Sequence, residues 1–351
     1  MRIVYKKIEG HLAATVQLTV KQRTEIQEEL GKLAQEIPSA RIAGPPFCIF
    51  NFITSVTEGF DVTLGFPLTQ EMKNSLFKTH IVPEMEVLSI VHRESPEKLR
   101  ETIGAVFSHA NQYAIISDEF YREVYLSESD PDGPVTEIQF VIHNWNAKLA
   151  GGLARVLGES ACQVIMQGSE ELTIESDVNA RFQWVKDMLE RLDDQTSEFQ
   201  KFDILSSCAH VFPKVQIAKL KTVFDETKAN TQDAIQAVDA VLDFMVADAG
   251  WGDKRPLREG YIIYTSKNPR DPNKHEAAKD DLERRKAYCY CPLVRDHIDQ
   301  GMPVDFCYCG SGWFRQQLEG AISKPVTLEV IKSVLKGDDV CQFAIHLPED
   351  I

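Results

Sequence analysis

Met85-Glu86-Val87-Leu88-Ser89-Ile90-Val91 reads as a strand, and Ser95-Pro96 shortly after it reads as a helix start. Serine supplies the cap and proline fits the first helical position, where its missing N–H costs nothing. Leu99, Ile103, Val106 and Ala110 then recur at helical spacing and mark a buried stripe. Tyr121–Ser127 and Val135–His143 follow as two more strands. The order is therefore strand-helix-strand-strand.

The same order stands upstream. His11–Thr19 alternates apolar and polar residues. A helix follows from about Val20 to Ile37, with Ile26, Leu30, Leu33 and Ile37 on one face and Pro38 as its stop. Pro46–Ile53 and Gly59–Pro67 are the two strands that follow. Periodicity thus predicts a duplicated unit over residues 1–145. After His143 the character changes. Residues 144–168 read as a linker running into a helix, and 180–192, 202–210, 215–224 and 233–246 read as helices. Residues 250–267 and 327–348 read as irregular and strand-like. The expected fold class is α+β, with a second domain at 151–351 that mixes helices and strands.

The 351 residues are enough for two cores, and 43% hydrophobic with 26% charged residues is ordinary globular composition. A net charge of -15 argues against direct nucleic-acid binding, which rests on lysine and arginine neutralising phosphates. The first residues lack an apolar signal-peptide core, and no run of about 18 apolar residues could span a membrane. A cytoplasmic location is expected. A homodimer or a regulatory protein partner is left open.

Three stretches of the first region carry a family resemblance. They are Pro45-Pro46-Phe47-Cys48-Ile49-Phe50 followed by Phe60–Pro67, then Val91-His92-Arg93-Glu94-Ser95-Pro96, and Arg122-Glu123-Val124-Tyr125-Leu126. On these the region resembles the GyrI-like effector-binding domains, which also stand at the C-terminal end of drug-responsive transcription activators. The Glu94-Ser95 step departs from the glycine usual there. The resemblance implies two strand-helix-strand-strand halves with a cleft between them for hydrophobic or cationic small molecules. It puts the acidic pocket residue at Glu123. Aromatic walls would come from Phe47, Phe50, Phe60, Phe66, Tyr113 and Tyr125, because aromatic faces attract cations. A DNA-binding segment ahead of the repeat is not expected, so sensing or detoxification by ligand binding is the leading function. The alternative is a small-molecule hydrolase. Some GyrI-like proteins hydrolyse strained electrophiles, and Glu123 would then be the general base with Tyr125 as orienter or acid.

The remaining chemistry lies near the C-terminus. Five of eight cysteines are Cys289, Cys291, Cys307, Cys309 and Cys341. Tyr288-Cys289-Tyr290-Cys291-Pro292 and Phe306-Cys307-Tyr308-Cys309-Gly310 run nearly parallel in sequence. In a reducing compartment such grouping reads as metal or redox chemistry more readily than as disulfides. Four thiolates suit zinc, and an iron–sulfur cluster takes the same ligands. Extended residues two apart share a face, so each pair could line one cavity, with Cys208 and Cys341 as further ligands. This region is similar in pattern to the aminothiazoline-carboxylate hydrolase family and to vinyl-reductase-type domains, through residues 204–210, the Cys-x-Cys pairs and residues 333–345.

Overall fold

The computed structural model describes residues 2–51, 59–74, 76–127, 135–212, 214–248 and 255–351. It is an α+β chain that divides into two compact units. One comprises Met1–Gln112 with Ile116–His143, the other Tyr113–Ile115 with Asn144–Ile351.

The first unit is built on β1 (Val4–Ile8), β2 (His11–Val20), α1 (Thr24–Gln35), β3 (Phe47–Asn51), β4 (Phe60–Pro67), β5 (Lys78–Val82), β6 (Met85–His92), α2 (Leu99–Gln112), β7 (Ser117–Ser127) and β8 (Val135–Ile142). The strands form one antiparallel sheet in the order β1-β6-β8-β7-β3-β4-β2-β5. Exchanging β1 with β5, β2 with β6, β3 with β7 and β4 with β8 returns the same order read backwards. The central pair is β3–β7.

Two strands were absent from the sequence-based expectation. β1 and β5 are the outermost strands, pairing with β6 and β2. The order strand-strand-helix-strand-strand thus occurs twice along the unit. The first helix also begins later than expected. Pairing of β2 with β4 runs as far as Val20 with Phe60, which holds Val20 in the sheet and moves the helix start to Thr24. Arg23 thereby becomes the N-cap residue of α1.

The second unit opens with α3 (Trp145–Leu157) and α4 (Glu159–Ile165), where the sequence had suggested a linker. Then come α5 (Val178–Asp193), α6 (Glu198–Ser206), α7 (Lys214–Thr231) and α8 (Ala234–Asp248). The remaining elements are β9 (Leu257–Glu259), β10 (Ile262–Ser266), α9 (Pro272–Ala277), α10 (Asp281–Tyr288), α11 (Pro292–Arg295), α12 (Tyr308–Ile322), β11 (Thr327–Lys332) and β12 (Gln342–His346). The four strands form a sheet in the order β11-β12-β10-β9. Phe182, Val185, Met188, Leu189 and Leu192 of α5 enter one core, as their helical spacing requires. α7, α8 and α12 build a second with the sheet. No helix among the described residues is long and apolar enough to cross a membrane.

One buried charge ties α5, α6 and the approach to α12 together. The Lys201 side chain is 3% exposed and bonds Asp193, Glu198 at 2.9 Å and Asp305 at 2.9 Å. Burial alone would lower its pKa, but the three carboxylates outweigh burial and raise it. A raised lysine pKa contributes stability fully present below the unfolded value of 10.5 and lost as pH rises through the folded one. Lys201→Met should therefore lower unfolding free energy across neutral pH. A loss of about 2–3 kcal/mol is expected, the worth of a charged hydrogen-bond set whose acceptors can turn to water. Urea denaturation checks this, and an unchanged midpoint would contradict it.

Candidate binding site

Strands β3 and β7 pair with Cys48 opposite Glu123, Phe50 opposite Tyr121 and Phe47 opposite Val124. Alternate residues of a strand face opposite sides of the sheet. Tyr121, Glu123, Tyr125, Cys48 and Phe50 therefore share one face, and Phe47, Arg122 and Val124 take the other.

On the first face Glu123 is 2% exposed. Arg23 donates through Nη2 to its Oε1, and the Tyr125 hydroxyl donates to its Oε2 at 3.1 Å. Arg23 also donates through Nη1 to the Tyr121 hydroxyl at 3.1 Å. Its guanidinium carbon sits 4.5 Å from the centroid of the Phe50 ring. Phe50 stacks on Tyr121 at 4.8 Å, and Tyr121 on Phe140 at 5.6 Å, so three rings form a column across β3, β7 and β8. Phe107 of α2 meets Phe140 edge-on at 4.8 Å. The arrangement is a carboxylate held under a planar cation and walled by aromatic rings.

Electrostatics follow from this burial. Desolvation pushes the Glu123 carboxyl above its usual range, with Arg23 and the tyrosine hydroxyls opposing it. Desolvation, and then the nearby carboxylate, push both Tyr121 and Tyr125 up, so both stay protonated donors. Cys48 is pushed up for the same reasons and is no nucleophile here.

Arg23 was not legible as a site residue. It lies between a strand and a helix in Lys21-Gln22-Arg23, which reads as a solvated charged turn. Its position is locally unfavourable. It makes no side-chain cap bond, and a cation at a helix N-terminus opposes the macrodipole. The Glu123 contact compensates.

Not every expected wall residue joins this group. Phe50 and Tyr125 do. Phe66 is buried on the same face of β4, whose Leu64 lies opposite Cys48. Phe47 is on the wrong side. Its ring stacks under Arg122, with the guanidinium carbon 4.0 Å from the ring centroid, and it covers Gly65. The register of β3 against β7 sets this parity, and the sequence does not display it. Tyr113 belongs to the second unit, where its carbonyl accepts a bond from Arg181. The side chain of Phe60 lies outside what is described. Buried Arg122 itself was unexpected; desolvation lowers its pKa to about 10 despite Glu137.

In the second unit the two Cys-x-Cys pairs differ in conformation. Cys289 and Cys291 are both extended, between α10 and α11. Cys307 is the N-cap residue of α12, with helical angles, and Cys309 lies within the helix. Residues two apart on a helix do not share a face, so the expected extended arrangement fails for this pair. Cys307 and Cys309 in fact meet different hydrophobic cores. Cys208 is fully buried, with its thiol directed at the Ile204 carbonyl at 3.6 Å. A separate cleft of about 530 Å³ is lined by Lys148, Arg155, Asp203, Arg315 and Glu319 among others. Its charges are largely internal pairs, with Asp203 taken by Arg155 and Arg315.

No protein-family model matches this sequence, and no curated protein does. Among solved structures the chain is similar to the EcmrR C-terminal domain, at 16% identity and a TM-score of 0.36, over 40% of this chain and 96% of that one. It is similar to SAV2435 bound to tetraphenylphosphonium, at 10% identity and a TM-score of 0.30, over 42% of this chain and 97% of that one. A hydrolase from Listeria innocua matches at 10% identity and a TM-score of 0.31, over 40% of this chain and 91% of that one. Likenesses this slight carry nothing about ligand or activity.

Proposed function

We propose that the first unit binds a small organic cation at Glu123, in the place held by the Arg23 guanidinium. One observation carries this reading. A carboxylate 2% exposed stands against a planar, delocalised cation that also stacks on an aromatic face. Burying a carboxylate is costly unless a cation compensates. The cation present is the more exposed partner, with the Arg23 side chain 36% exposed and the Glu123 side chain 3%. An external ligand with a planar cationic head and an apolar body would satisfy the same carboxylate and the same rings. Sensing or sequestration of such molecules is the function that follows. The strand order, symmetric under exchange of the two halves, supports reading the unit as a duplication, each half strand-strand-helix-strand-strand, with this site at its centre.

Binding is favoured over catalysis. Glu123 is 2% exposed and each oxygen already accepts a bond, Oε1 from Arg23 and Oε2 from Tyr125, so a reacting water has little access to it.

Benzamidinium is a suitable probe, being a planar amidinium on an aromatic ring. It should bind Arg23→Ala about tenfold more tightly than wild type, because the internal competitor is gone. Calorimetric titration should be done well above the Glu123 titration, since loss of Arg23 removes a group that holds its pKa down. In both proteins affinity should fall as pH drops through the raised Glu123 pKa, because a proton then competes for the carboxylate. Equal affinities would show that Arg23 does not occupy the ligand's place. Failure of both proteins to bind would remove the cation site.

A further inference from the structure

Segments that carry five cysteines of the second unit gather around one lysine. The Lys267 amide donates to the Cys341 carbonyl at 3.2 Å, and its own carbonyl accepts from the Tyr288 hydroxyl, next to Cys289. Its ammonium lies 5.4 Å from the ring centroid of Tyr290, the residue between Cys289 and Cys291. At Gly310, adjacent to Cys309, a Cβ would stand 3.1 Å from the same ammonium. Cys307 lies on the same stretch, with its sulfur 3.2 Å from the hydroxyl of buried Ser333, in the segment that leads to Cys341. Segments far apart in sequence are thus gathered around one cation, between the two cores of the unit.

We propose that four of the five thiols Cys289, Cys291, Cys307, Cys309 and Cys341 ligate an iron–sulfur cluster. Three observations favour this over a single zinc ion. First, tetrahedral thiolates at the usual zinc–sulfur bond length stand about 3.8 Å apart. Among the described residues, no three of these sulfurs lie within 4.8 Å of one another. A cluster gives thiolates separate irons and so accepts a wider set. Second, a thiolate-ligated cluster carries net negative charge, and Lys267 places a cation beside it. Third, the site is apolar and enclosed enough to protect a cluster. Cys289 is buried, and the other four pack against the two hydrophobic cores. Each ligating thiol gives up its proton to solvent as its iron–sulfur bond forms. Ferrous iron, ferric iron and sulfide are the co-reactants, so ligation itself needs no further change of oxidation state.

Cys208 is excluded as a ligand. It is fully enclosed and lies outside the Cys-x-Cys segments and the Cys341 segment that gather around Lys267.

The test uses the full chain, purified without oxygen and, if colourless, reconstituted with ferrous and ferric iron and sulfide. Iron and acid-labile sulfide in equal amounts are expected, with a visible absorption band that dithionite bleaches. The double variants Cys289→Ser/Cys291→Ser and Cys307→Ser/Cys309→Ser should each lose that band, while Cys208→Ser keeps it. Circular dichroism distinguishes a lost ligand from a lost fold, and the wild-type spectrum stands whichever variant misfolds. Zinc bound in place of iron would overturn the proposal. So would a wild-type chain that takes up neither iron nor sulfide, or retention of the band in a well-folded double variant.

Discussion

Glu123→Gln is expected to weaken benzamidinium binding by about 30-fold to several thousand-fold, equivalent to about 2–5 kcal/mol for losing one partner of a buried charge pair. The substitution keeps the shape and leaves an amide oxygen or N–H for the Tyr125 hydroxyl. Only the charge goes. Stability should change far less than affinity. A neutral amide is cheaper to bury than a carboxylate, and Arg23 is exposed enough to turn into water. Calorimetric titration beside urea denaturation separates the two effects. Equal affinities would remove the binding role. A fall in stability of comparable size would make the Arg23–Glu123 pair structural instead.

Gly312→Ala should cost at least about 3 kcal/mol of stability, beyond ordinary overpacking. A Cβ at Gly312 would lie 1.9 Å from the Ser206 carbonyl oxygen and 2.7 Å from the Ala209 Cβ. The first is backbone at the end of α6, so no rotamer change can relieve it. α6 and α12 would have to separate, opening the core that holds Phe202, Phe314 and Leu318. Gly310, one helical step earlier, faces only the flexible end of Lys267, so alanine there should be much milder. Chemical denaturation of the two variants is the comparison. A Gly312→Ala midpoint matching wild type would contradict the packing described.

Periodicity made much of the first unit legible. β2 alternates, β6, β7 and β8 read as strand-like runs, and α1 and α2 carry clear buried stripes. β1 and β5 were missed for a physical reason. Val-Tyr-Lys-Lys-Ile and Lys-Thr-His-Ile-Val are short, charged edge strands, and of their ten residues only Val82 is buried. The helix at Trp145–Leu157 was mistaken for a linker because Gly151-Gly152 imitates one. Gly152 serves packing instead, since a Cβ there would meet the Ser207 hydroxyl at 2.7 Å.

The site was legible only in part. Alternation along β7 offered two faces for Glu123, and both faces of that sheet are buried, so composition could not choose between them. Phe47 went to the opposite face because the β3–β7 register sets its parity. Arg23 is the largest omission. A long cationic side chain from a turn, reaching a strand a hundred residues later, leaves no local pattern. The second Cys-x-Cys pair was read as extended like the first. Pro303 and the two glycines around it conceal the start of α12, although Trp313, Phe314 and Leu318 continue at helical spacing.

A crystal structure of the chain grown with benzamidinium would test the central claim most directly. The amidinium should lie against the Glu123 carboxylate and over the Phe50 ring, with the Arg23 side chain turned outward. An amidinium bound elsewhere, with Arg23 still on Glu123, would contradict the assignment.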